Sequence, residues 1–206
     1  PVRQAGHRYF RELVGERYGI RWIEQYWLAG KPFEWGWDRA LLADLFPATR
    51  VLSPGEHPFD AGFVIRDTTM LIEPDVYLGA LVGDFRRAGG RIETRAFGSA
   101  GELASLPEPL VFNCTGAGAK ALFGDGEMVP IKGQLSVLPP QPEVDYVMAR
   151  DDIYMFPRRD GIVLGGTFEP GVLDLEPNPR EAERVLRGHA EVFGSMRGAG
   201  GGSGRP

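Results

Sequence analysis

The 206-residue chain is 43% hydrophobic and 25% charged, enough apolar material for a packed core and unlike disordered, collagen-like or coiled-coil chains. Its 23 Lys and Arg against 28 Asp and Glu leave a net charge of −5, which argues against a basic nucleic-acid or membrane-binding face. The single cysteine, Cys114, excludes an internal disulfide, and no apolar run reaches the roughly 20 residues of a membrane-spanning helix.

The chain opens on Pro1 rather than Met and runs at once into a helical pattern, so a fragment cut at its N-terminus is expected. Phe10, Leu13 and Val14 share one face of that helix, and Gly19 lies beyond its end. Ile20 to Leu28, with Trp22, Tyr26 and Trp27, reads as a strand. Pro32, Pro47, Pro54 and Pro58 make the next stretch irregular, with at most a short helix near Asp38–Leu45. Two strands are expected around Gly62–Arg66 and Thr69–Ile72. Glu73-Pro74-Asp75 then starts a helix, because proline lacks only an N–H that the first turn does not use. Val76, Leu78, Leu81, Val82 and Phe85 supply its apolar stripe, and Gly89-Gly90 stop it.

Arg91 to Phe97 reads as a strand after that helix, followed by a polar stretch from Gly98 to Pro109. Leu110 to Gly116 reads as an apolar strand entering a Gly-rich turn, and Ala117 to Phe123 begins a helix. Helix, strand, loop, strand, turn and helix is α/β order, which implies parallel pairing. From Met128 onward, Ile131–Leu138, Tyr146–Met148, Ile153–Pro157 and Gly161–Phe168 are short, closely spaced strands, as in an antiparallel meander, with Asp160-Gly161 as a tight turn. A helix from about Pro179 to Phe193 closes the fold, and the Gly-rich residues 198–206 form a flexible tail. The expected class is mixed α/β, with part of a nucleotide-binding layer inserted between two pieces of a mostly antiparallel sheet.

Catalytic side chains are hard to find. His7, His57 and His189 have no metal-ligand spacing, and there is no Gly-x-Ser-x-Gly elbow and no Walker loop. Asp67, Glu73, Asp75, Asp151 and Asp152 read as turn and cap residues. Cys114, at the end of an apolar strand, reads as a small buried residue. A chain with no obvious acid, base, metal or nucleophile suggests chemistry delegated to a cofactor. Thr115-Gly116-Ala117-Gly118 has two readings, an ordinary strand-to-helix turn or a backbone that admits a phosphate or ribose.

Four segments in register carry a family likeness. Leu110-Val-Phe-Asn-Cys-Thr-Gly-Ala-Gly-Ala119, Val129-Pro-Ile-Lys-Gly-Gln-Leu135, Ile153-Tyr-Met-Phe-Pro-Arg158 and Val163-Leu-Gly-Gly-Thr-Phe168 resemble FAD-dependent oxidoreductases of the D-amino-acid oxidase family. The likeness runs from about Tyr18 to Met196. It implies substrate-domain parts at 1–74 and 128–197, and part of a Rossmann-like FAD-binding domain at 75–127. It implies FAD as cofactor, contacted at Ala96, Thr115 and Gly116. It also implies a small amine or D-amino acid as substrate, its carboxylate held by Tyr154 and its oxidation proceeding by hydride transfer to the flavin. A phenol suits that task, as a neutral donor on a rigid ring; read without the likeness, Tyr154 is a sheet-face aromatic. Gly165-Gly166 read as close strand packing.

The chain also departs from the family pattern. Arg150 stands where a second tyrosine often lies; it reads as a surface charge, with a preference for an acidic substrate side chain or a share in carboxylate binding as the alternatives. The Gly-x-Gly-x-x-Gly phosphate loop and the carboxylate-pairing arginine segment are absent from these 206 residues, so the isolated chain is expected to be inactive. The alternative reading is a folded, non-catalytic remnant that binds no cofactor alone. A nicotinamide dehydrogenase is weaker, because no acidic residue follows a Gly-rich loop at dinucleotide spacing.

Overall fold

Two ten-residue strands, alternating buried and less buried side chains, set up the sheet. The computed structural model describes residues 2–32 and 48–197. In it β1 (Ile20–Ala29) and β3 (Phe63–Ile72) pair antiparallel from Ile20 opposite Ile72 to Ala29 opposite Phe63. The two short strands expected at 62–72 are therefore one. Asp67, expected in a turn, lies mid-strand and 2% exposed, where its Oδ2 accepts the Trp27 Nε1–H at 3.1 Å. A carboxylate so satisfied can stay in a strand that its propensity disfavours.

A short strand unseen in the sequence, β2 (Arg50–Leu52), extends the sheet beyond β3. On the other side of β1 comes the meander. A two-residue strand, β4 (Ile131–Lys132), is followed by β5 (Ser136–Leu138), β6 (Tyr146–Arg150), β7 (Ile153–Arg158) and β8 (Gly161–Gly165). The seven-stranded order is β2-β3-β1-β6-β7-β8-β5, with β1 and β6 parallel and the other pairs antiparallel. The expected strand Ile131–Leu138 is broken at 133–135, and β4 pairs instead with β9 (Glu169–Pro170) in a separate ribbon. The expected helix near Asp38–Leu45 and the tail at 198–206 lie outside the described residues.

Helix α1 (Val2–Glu12) leads through a 3₁₀ turn, Glu16–Tyr18, to Gly19 at φ 61, which a side chain would strain. Then come α2 (Pro74–Arg87), α3 (Ala100–Ala104) and α4 (Gly118–Phe123), and finally α5 (Pro179–Gly194). The Asn178 side chain caps α5 by accepting the Arg180 and Glu181 main-chain N–H groups. The main core lies between α5 and one sheet face, where Val185 and Val192 meet Met148, Met155, Ile162 and Leu164. A smaller cluster of Ile23, Leu71 and Val147, with Phe156, occupies the opposite face.

The middle of the chain behaves differently. No residue from Pro74 to Tyr146 is buried. The apolar stripe of α2 is present but uncovered, with Leu78 57% and Phe85 51% exposed. The strands expected at Arg91–Phe97 and Leu110–Gly116 do not form, and Phe112 is 79% exposed. An apolar run becomes a strand only where a second backbone takes up its N–H and C=O groups. Among the described residues nothing pairs with either segment.

His57 provides a pH-dependent check on the main core. Its ring is buried and lies near-parallel to Phe59 at 6.2 Å. Burial first, and then the Arg197 charge, hold its pKa below the ordinary histidine value. The folded state therefore favours the neutral ring. The stability this provides is present above the unfolded-state pKa and is lost as pH falls below it. Urea midpoints should decline between about pH 7.5 and 5.5, where an ordinary histidine titrates, and less steeply in His57→Gln. Equal slopes in both proteins would remove His57 from this role.

Candidate active site on the open sheet face

Register assembles the site around Tyr154. One row across the sheet runs Ile65, Trp27, Ala149, Tyr154, Gly165. Because Met155 faces α5, the adjacent Tyr154 side chain stands on the opposite face. Its cross-strand neighbours are the small residues Ala149 and Gly165, which leave space around the ring. A Cβ on Gly165 would lie 2.2 Å from Tyr154 Cζ, and one on Gly166 2.7 Å from Cε1. The ring thus rests on bare glycine backbone, and Phe156 packs beside it at 5.1 Å. Here the expected role of Gly165-Gly166 in close packing has a specific object.

The phenol oxygen has no hydrogen-bond partner among the described residues. A half-buried, neutral O–H held on a rigid ring is a donor available to an anion. Tyr154 borders a cavity of about 430 Å³ that also includes Thr167, Glu169 and Arg184. Arg184 bonds the Asp152 and Glu181 carboxylates and gives an N–H to the Gly166 carbonyl at 2.7 Å. The Glu181 bond first, then the Asp152 charge, raise its already high pKa. Asn178 N–H donates to Gln134 Oε1 at 2.6 Å, and Asn178 Nδ2 to Glu169 Oε2 at 2.7 Å. These bonds tie the strand exit after β8 to the start of α5 and give the cavity a fixed rim.

The residues expected to touch FAD lie elsewhere. Ala96, Thr115 and Gly116 are all exposed, and none lines the cavity beside Tyr154. Thr115 donates both its N–H and its hydroxyl to Asn113 Oδ1, at 3.2 and 2.7 Å. Gly116 has φ 55, and no atom lies within 4 Å of where its Cβ would be. Ala117, next in sequence, borders a separate cavity of about 520 Å³ between 128–133 and 172–175. An open glycine backbone fits close approach by one part of a dinucleotide. The described residues supply no cradle for its pyrophosphate.

Other sequence expectations sort cleanly. Arg150 is partly exposed and lies near Asp151, with N···O 3.8 Å. Cys114, expected to be buried, is exposed, because the strand that would have buried it does not form. Glu73 takes the cap position of α2 without a capping bond from its side chain, which is buried and accepts the Arg159 N–H at 3.3 Å. Asp152 pairs with Arg184. Among the described residues no three His, Cys, Asp or Glu side chains gather as a metal site. His189, passed over in the sequence, is buried beneath β7 and contacts the Tyr154 main chain. Only its apolar-face position on the helix hinted at this.

Comparison with known proteins identifies the family. A family model described as FAD dependent oxidoreductase (DAO) matches residues 1–201. A D-amino-acid oxidase of Streptomyces coelicolor is 32% identical over 169 residues, 80% of this chain and 50% of that protein. One from Rubrobacter xylanophilus is 37% identical over 132 residues, 62% of this chain and 40% of that protein. The chain thus spans half or less of the length of these relatives. The crystal structure of iminodiacetate oxidase from Chelativorans sp. BNC1 superposes on 93% of this chain and 63% of its own, with TM-score 0.68 and 18% identity, a likeness of fold. With nearly every residue inside the family match, and a mixed α/β fold with a mostly antiparallel sheet shared with such an oxidase, this chain belongs to the DAO family of FAD-dependent oxidoreductases.

Proposed function

We propose that the protein containing this chain oxidises a D-amino acid or a related small amine, with Tyr154 donating its phenol hydrogen to the substrate carboxylate. The observation that carries this reading is the unpartnered Tyr154 hydroxyl, on a ring seated on Gly165 and Gly166 beside a cavity of about 430 Å³. Two relatives named D-amino-acid oxidase support the substrate class. FAD, when bound, supplies the acceptor for the hydride lost from the substrate α-carbon. The chain's own part is to orient that C–H bond and exclude water. Ala96, Thr115 and Gly116 would meet the dinucleotide along its length.

A second reading, that the 206 residues alone bind no FAD, is not favoured by the match to FAD-dependent oxidoreductases. The test is made on the complete FAD-loaded protein. Flavin absorbance should bleach without oxygen on adding D-amino acids and stay unchanged with their L-enantiomers. Bound flavin that no D-amino acid or secondary amine bleaches overturns the substrate assignment. Titration of the isolated chain with FAD decides the second reading separately.

A further inference from the structure

We propose that His189 is a positioning residue for Tyr154, its Nε2–H holding the Tyr154 main-chain carbonyl from beneath the sheet. The inference rests on the reading of Tyr154 as the carboxylate donor. His189 is 3% exposed, in the second half of α5. Its Nδ1 lies 2.7 Å from the Val185 carbonyl, and its Nε2 lies 3.1 Å from the Tyr154 carbonyl. A neutral imidazole has one N–H to give. The Val185 oxygen is one turn back in the same helix and already accepts a main-chain N–H there. The Nε2 contact is the one that leaves the helix and reaches the strand, so the hydrogen placed on Nε2 does the positioning.

The surroundings favour a strong contact. On the helix side, His189 shares an apolar cavity of about 310 Å³ with Tyr146, Met155, Leu164, Leu186 and Phe193. In such a setting a hydrogen bond is strengthened. His189 is also stacked near-parallel to Phe193 at 6.3 Å, which fixes the ring plane. At the preceding residue, a Cβ on Gly188 would come within 3.3 Å of Ile153 Cδ1, so helix and strand already approach closely at this point. The ring of Tyr154 stands on the other face, supported by glycines that lack side chains to grip it. Its aim therefore follows the tilt of its own peptide plane, and small errors in such aim lower catalytic efficiency steeply.

Two substitutions separate positioning from packing. A Gln side-chain amide occupies roughly the place of Nε2, and an Asn amide that of Nδ1. His189→Gln keeps a donor towards Tyr154, whereas His189→Asn keeps only the contact within the helix. Both lose the ring and its stacking. In the complete FAD-loaded protein, His189→Asn should raise KM for a D-amino acid about tenfold with kcat nearly unchanged, the effect of a mis-aimed Tyr154 hydroxyl forfeiting its bond to the carboxylate. His189→Gln should restore KM to within roughly threefold of the parent, with a similar loss of thermal stability. Equal KM in the two variants overturns the proposal.

A Tyr154→Phe arm run alongside tells the two failures apart. Unchanged KM there defeats the carboxylate reading, and the His189 contact is then decided by spectroscopy alone. In the folded wild-type protein labelled with 15N-histidine, the His189 Nε2 signal should carry a proton and show coupling to the Tyr154 carbonyl carbon. An unprotonated Nε2 overturns the assignment, including where neither variant folds.

Discussion

Tyr154→Phe should raise the KM for a D-amino acid about 10- to 100-fold, the loss expected for one hydrogen bond to a charged group at about 1.5–3 kcal/mol. The same change should leave the thermal midpoint nearly untouched, because no described residue depends on that hydroxyl. This combination distinguishes a binding role from a structural one. A buried tyrosine whose O–H holds the fold together loses stability with the oxygen, and a sheet-face aromatic loses nothing at all. Steady-state kinetics and a melting curve on the same preparation check both halves. A large drop in melting temperature, or an unchanged KM, removes Tyr154 from the substrate site.

Gly165→Ala should cost about 1–3 kcal/mol of stability, the range for forcing extra volume into a packed contact. The new methyl would sit 2.2–2.5 Å from Tyr154 Cζ, Cε2 and the phenol oxygen, distances no pair of such atoms tolerates. The ring has to leave its seat, so substrate affinity should fall as well. In a Tyr154→Ala background the methyl meets no ring, and Gly165→Ala should then be nearly harmless. The coupling between the two changes, about 1–3 kcal/mol by denaturant unfolding, measures the contact itself. Additive effects would show that the ring does not rest there. Gly165 also shows how a residue without chemistry shapes a site: it sets where the donor points by leaving room for it.

Much of this was legible along the chain. The alternation from Ile20 to Leu28 marks a half-buried strand, and Asn178-Pro179 mark the start of α5. The short strands after Tyr146 declare themselves through β-branched and aromatic residues bounded by turns. Local propensity and period suffice there, because those segments find partners close by in the sheet. Asp67 misled for the opposite reason. A lone acidic residue suggests a break between two strands, whereas Trp27, distant in sequence, supplies the donor that lets it stay buried.

The segments Arg91–Phe97 and Leu110–Gly116 misled through missing partners. Their apolar pattern is real, but pairing is a property of two backbones, and a single segment cannot state it. The sequence by itself determined β1, the short strands after Tyr146, the terminal helix and the family likeness that singles out Tyr154, because each is written in neighbouring residues. Only the tertiary structure decided which face Tyr154 occupies, that Gly165 and Gly166 form its seat, and that His189 lies beneath its carbonyl. Those relations join residues 11 to 35 positions apart, and register and helix docking, rather than local preference, bring them within touching distance.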